Sequence, residues 1–182
     1  MIRPLVFALA LALSATGAWG DMDADCKQSS DPDRRIRGCT QIIERGKRET
    51  REYRAIAYNN RGLAYQEKGE VDRAIANFTT AIKFSPNDAR VYSNRGSAYA
   101  TKGELDRAIA NLSKAIALNP KYADAYNSRG VAYGKKGEVD RAIADFDKAI
   151  ALDPKSANAY TIRGLAYGKK GEVDRAAPLP RG

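Results

Sequence analysis

From Ala55 onward, apolar and small residues recur at helical spacing, in blocks punctuated by glycine, an acidic pair and a proline. In the block that starts at Ala123 they fall at Tyr126, Gly130, Val131 and Tyr133, and the run stops at Gly137, a residue suited to a helix C-terminus. Glu138 and Asp140 follow, acidic residues that favour the positive end of a new helix by capping and by complementing its dipole. Ala142, Ile143, Phe146, Ala149 and Ile150 resume the spacing until Pro154 closes it. Each block therefore predicts an antiparallel pair of helices, A and B.

The blocks are copies of one another. Residues 69 to 76 read GEVDRAIA, 103 to 110 GELDRAIA and 137 to 144 GEVDRAIA, and the pairs Arg61-Gly62, Arg95-Gly96, Arg129-Gly130 and Arg163-Gly164 are each 34 residues apart. The units run 55–88, 89–122 and 123–156. The last phrase, GEVDRAAPLPRG, meets Pro178 and Pro180, which leave no residues for a helix B, so unit 157–182 is expected to hold helix A alone.

A 34-residue hairpin with Tyr126, Gly130, Tyr133, Gly137, Ala142, Phe146, Ala149 and Pro154 in this order resembles the tetratricopeptide repeat. The resemblance spans residues 55 to 177 and implies an all-α fold, a right-handed α-solenoid of stacked antiparallel helix pairs. Eight tyrosines recur at two positions of helix A (Tyr58, Tyr65, Tyr92, Tyr99, Tyr126, Tyr133, Tyr160 and Tyr167), where packing accounts for them. The chain departs from the family at the seventh position, usually aliphatic, which carries Arg61, Arg95, Arg129 and Arg163. Their guanidinium groups are expected to pair with Asn77, Asn111 or Asp145 on helix B while the stems pack.

Residues 21–54 hold a faint half-repeat: Asp33 to Ile36 align with Asp140 to Ile143. In that alignment Cys26 takes the slot of Tyr133 and Cys39 that of Phe146, two slots that pack together in the family. A disulfide between Cys26 and Cys39 would replace that contact and add about 3 kcal/mol in the chain-entropy model, with the reduced pair as the alternative.

Residues 1–20 have a different character. Arg3, an apolar run from Leu5 to Ala18, and Ala18-Trp19-Gly20 form a signal-peptide pattern, and the run of about 14 residues is short of the roughly 20 of a transmembrane span. The expectation is an exported protein, periplasmic or secreted, which also suits a disulfide. Removing Arg3 with that segment changes the net charge from +9 to +8. The basic residues recur with the repeat instead of forming one patch, so nucleic acid is not an expected partner. The absence of histidine removes the commonest general base and metal ligand, and two cysteines cannot complete a zinc site. No enzyme, cofactor or metal is expected. Asn77-Phe78-Thr79 and Asn111-Leu112-Ser113 match the glycosylation pattern but fall within B helices.

What varies between units is the inner face of the A helices, which the family resemblance implies is a groove. Its positions carry Asn59, Asn60, Leu63 and Glu67, then Arg90, Ser93, Asn94, Ser97 and Thr101, then Asp124, Asn127, Ser128, Val131 and Lys135, and finally Thr161, Ile162, Leu165 and Lys169. Asn60 and Asn94, each both donor and acceptor, suggest a ladder gripping a peptide backbone, interrupted at Ser128 and Ile162. The family's lysine-rich carboxylate clamp is not reproduced, since Asn59 and Ser93 stand at its basic fifth position. The sequence points to a non-enzymatic scaffold for a peptide or protein partner. The alternative is adhesion to an anionic polymer or membrane surface through Lys135, Lys136, Lys169, Lys170 and the Arg34–Arg54 segment. The A helix left uncovered at the end, with Tyr160, Gly164 and Tyr167, suggests either an array that has lost its end or a two-fold homodimer.

Overall fold

A computed structural model describes residues 23–171; the signal-peptide reading and the proline-rich end lie outside the described residues. Every regular element among them is a helix. Residues 23–28 form α1, followed by α2 (Pro32–Glu44), a short 3-10 turn (Gly46–Arg48), α3 (Arg51–Glu67), α4 (Val71–Phe84), α5 (Ala89–Lys102), α6 (Leu105–Leu118), α7 (Ala123–Lys136), α8 (Val139–Leu152) and α9 (Ala157–Lys170). Consecutive helices pack pairwise along the chain, and each A helix (α3, α5, α7, α9) also touches the next, which makes the right-handed α-solenoid.

The tight A-to-B turn is a matter of backbone geometry. Gly103 and Gly137 sit at φ 84° and 85°, a left-handed conformation that costs a side-chain-bearing residue energy, and the amides of Glu104 and Glu138 reach back to the carbonyls of Tyr99 and Tyr133 at 2.9 Å. Inside each hairpin, one large side chain of helix B lies against a glycine of helix A. A Cβ on Gly130 would stand 2.7 Å from the Phe146 ring, and one on Gly96 would stand 2.7 Å from Leu112. Phe78, Leu112 and Phe146 are consequently almost fully buried, and each contributes roughly 1.5–3 kcal/mol of apolar burial.

Polar contacts set the register between units. The Nε of Arg61, Arg95 and Arg129 donates to Asn77, Asn111 and Asp145, at 2.8 Å in each case. The Nη1 of the same three arginines donates to Thr40, Thr79 and Ser113 on the preceding B helix, and Arg163 does likewise to Asp147 at 2.6 Å. Each guanidinium also lies over the A-helix tyrosine three residues earlier, 5.3 to 5.6 Å from the ring centroid. Thr40 fills the slot of Asp147 in the half-repeat alignment, and the turn Gly46–Arg48 absorbs the longer connection that follows. Asn77 is buried and Asn111 accepts from Arg95, so neither offers a free side chain for glycosylation.

A second periodic contact runs outside the hairpins. Lys68, Lys102, Lys136 and Lys170 close the ends of the A helices and pair with Asp33, Asp72, Asp106 and Asp140 of the preceding unit. The expected capping role of the turn glutamates is corrected here. Glu70, Glu104 and Glu138 occupy the N-cap positions without a side-chain cap bond and instead accept from Arg73, Arg107 and Arg141 three residues on. The reason is competition: the arginine and the preceding lysine offer the carboxylate charged donors, stronger partners than a backbone amide.

Two tests follow from this bonding. Asp145→Ala leaves the Arg129 guanidinium, 19% exposed, without its paired carboxylate, and is expected to cost about 3 kcal/mol in urea unfolding. Asp145→Asn restores the arrangement of Asn77 and Asn111 and should cost less than half as much. Acid is expected to loosen the turn clusters. The bond from Arg107 and then that from Lys102 hold Glu104 below its ordinary 4.5, and the bond from Lys68 holds Asp33 below 3.8. Carboxylates depressed in the folded state stabilise fully above their unfolded values and lose that contribution as pH falls through the folded ones. The melting temperature should therefore be insensitive to these groups above about pH 5 and fall below it, less so in high salt.

Candidate functional site

The sequence-predicted groove residues divide into two groups. In the first, the N-terminal segment uses the groove side chains for itself. The sulfurs of Cys26 and Cys39 are bonded, with Cα atoms 4.6 Å apart, and with Ile42 and Ala57 they form a small closed core. This core fixes the Cys26 carbonyl against α3, where it accepts from Asn60 at 3.2 Å. Asn59 donates to the Asn60 oxygen at 3.3 Å, and Asn94 donates to Asn59 at 2.9 Å. The expected Asn60–Asn94 ladder is thus corrected: Asn59 stands between the two, and the three amides run as one intramolecular chain from α5 to the disulfide. Glu67 receives both Nη groups of Arg35, at 2.8 and 3.1 Å, and half-buried Leu63 packs on the first core cluster.

Ser93 does not belong to the groove. It is 5% exposed; nearby, at the start of α7, burial and then Asp124 push the phenol of Tyr122 up. Arg90 is exposed and grips Asp88 through Nε and Nη2, at 3.2 and 2.9 Å. It lines a polar cleft of about 230 Å³ with Lys27, Ile56, Asn59 and Asn60.

The second group is brought together. Ser97, Thr101, Asn127, Ser128, Val131, Lys135 and Ile162 line one open cleft of about 210 Å³ across α5, α7 and α9, together with Ala100 and Asn158. The Oδ1 of Asn127 is buried and has no hydrogen-bond partner. The Thr101 hydroxyl is spent on the Ser97 carbonyl. Lys135 makes no ion pair among the described residues, whereas its neighbour Lys136 is held by Asp106 and Glu138. The cleft can therefore offer a hydrogen-bond acceptor in a partly dry setting, a cation at one end and branched apolar walls. Asn158 was legible from the register, since it is the second position of the last A helix. The contribution of Ala100 was not, because it stands at the twelfth position, outside the second, fifth, sixth, ninth and thirteenth positions that the family resemblance assigns to the groove.

Among the described residues no helix is long and apolar enough to cross a membrane, and no cluster of three or more Cys, Asp or Glu side chains is arranged to hold a metal ion.

Models of the TPR repeat match residues 62–103 and 96–137, and models of the tetratricopeptide repeat match 123–156 and 146–177. No curated protein sequence matches the chain. Among solved structures, that of MamA is similar, at 31% identity over 85% of this chain and 87% of that one, with a TM-score of 0.73. The first TPR of Spaghetti (RPAP3), bound to the HSP90 peptide SRMEEVD, is 25% identical over 66% of this chain and 95% of that one, with a TM-score of 0.64. The second TPR domain of human RPAP3, in complex with the HSP70 peptide SGPTIEEVD, is 28% identical over 64% and 97%, with a TM-score of 0.61.

The amide chain makes the N-terminal segment a separable clasp. Cys39→Ser should raise amide hydrogen exchange across residues 23–44 and at Asn60, while α6 to α8 keep their protection, because solenoid contacts are between neighbours. Equal loosening throughout would show that the disulfide supports the whole array.

Proposed function

Because the chain belongs to the tetratricopeptide repeat family, we propose that it is a protein-interaction scaffold that holds an extended peptide or protein segment across α5, α7 and α9. The observation that carries this reading is the cleft around Asn127. A buried carboxamide oxygen without a partner is costly unless something donates to it, and the backbone N–H of an extended segment entering the cleft is a donor of the required kind. Val131 and Ile162 on either side supply apolar contact, and Lys135 supplies charge. The peptide-bound RPAP3 domains support the use of such an array for short segments. Affinity would come from several modest contacts on a surface that is already rigid.

The Cys26–Cys39 bond fits an oxidising compartment, and with the apolar run at residues 5–18 we read the protein as exported, periplasmic or secreted. Adhesion to an anionic surface is the weaker reading. Lys136 and Lys170 are committed to Asp106 and Asp140, Arg35 to Glu67, and Arg45 to Glu49, so much of the charge counted in the sequence is neutralised in place.

Panning a random dodecapeptide library on the oxidised chain tests the reading. Selected peptides should lose roughly fivefold in affinity on Asn127→Ala, the effect of one hydrogen bond of about 1 kcal/mol, and more on Val131→Asp. Asn60→Ala should leave them bound, because its amide is engaged by Cys26. Binding lost with Asn60→Ala and kept with Asn127→Ala would move the site to the N-terminal cleft.

A further inference from the structure

Beside the Asn127 cleft, and sharing Val131, Lys135 and Ile162 with it, lies a second opening of about 190 Å³ between α7, α8 and α9. Its lining includes Gly134, the twelfth position of this A helix, where the earlier units have Gln66 and Ala100. A Cβ built on Gly134 would meet only the Ala142 methyl, at 3.8 Å. Its walls are apolar, formed by Phe146, Ile162 and Leu165, and Leu165 is 65% exposed, the most exposed large apolar side chain among the described residues. An engineered cavity of about 150 Å³ with similar walls accommodates a benzene ring, so this opening is large enough for one aromatic or branched side chain.

The rim has the opposite character. Lys135 and Lys169 both line the opening, both are exposed, and neither has an ion pair among the described residues, although the adjacent Lys136 and Lys170 are each paired. Among the described residues no acidic side chain lines it. An uncharged apolar ligand would leave two cations unused, and a bare anion would leave the apolar walls wet. We propose that this opening receives an apolar side chain that the partner presents next to a carboxylate, so that the recognised segment is an acidic and apolar stretch of peptide. The assignment rests on the peptide-binding reading of the neighbouring cleft and specifies the chemistry of its occupant. It lies at the twelfth and thirteenth positions of the A helices, away from the fifth, where the family's clamp has its lysine and this chain has Asn59 and Ser93.

An array of random octapeptides probed with the full oxidised chain tests it. Bound sequences should be enriched in an apolar residue adjacent to Asp or Glu. The combined Lys135→Gln and Lys169→Gln variant should weaken the best acidic peptide by about fivefold and leave its Asn/Gln counterpart unchanged. Gly134→Leu, which fills the opening and raises helix propensity, should fold normally and remove the preference for the apolar residue. Peptides that bind, respond to Asn127→Ala, and ignore both the lysine and the Gly134 variants would overturn this proposal while leaving the groove reading intact. Absence of any octapeptide binding would overturn both. A concentration-dependent mass increase abolished by Gly134→Leu would give the opening to a second copy, and tighter peptide binding on Leu179→Asp would give it to the chain's own end; either result overturns the proposal.

Discussion

The bond between the arginine of each A helix and two successive B helices is the contact on which the stacking depends. A helix pair of this length cannot bury both faces alone, and apolar packing does not by itself choose one register. A planar, permanently charged group with several fixed donors does choose. Arg95 must reach Asn111 within its own unit and Thr79 in the preceding one, and it lies over Tyr92 as it does so. The geometry repeats at Arg61 and Arg129 with different acceptors, including one carboxylate, so the slot tolerates changes of charge but requires an acceptor. At Arg163 the pattern is incomplete: Nη1 finds Asp147, and the buried Nε has no acceptor.

Once the register is set, charge is distributed unevenly. The lysine that ends each A helix pairs with the aspartate one unit earlier, and these exposed bridges contribute little individually, although they recur at every junction. Among the described residues they leave Lys135 and Lys169, on the inner face of the last two A helices, without an ion pair. The N-terminal half of that face is spent on holding α1 and α2 through Asn60, Asn94 and Glu67. Among the described residues, a chain with a uniform repeat therefore differs along its length: the inner face of its N-terminal units is engaged by α1 and α2, whereas a cleft stays open across α5, α7 and α9.

Much of this was legible in the sequence. The 34-residue period and its helical spacing determined the hairpins and the glycines that end the A helices, because local backbone preference and one-turn periodicity are properties of adjacent residues. The same periodicity indicated the partners of Arg61, Arg95 and Arg129, since a fixed offset of 16 residues recurs in every copy.

Other features were decided only by the tertiary structure. Ser93 holds a groove position by register, yet it is buried once the units stack. Asn60 and Asn94 looked like free amides and are bonded through Asn59 to a carbonyl that the Cys26–Cys39 link brings to them from outside the repeat. Glu138 sits at an N-cap and turns to Arg141 and Lys136. The opening at Gly134 needs three helices to enclose it. Sequence period determines which positions share a face, but which of them stay free depends on donors and side chains arriving from distant segments, and that competition is settled only when the units stack.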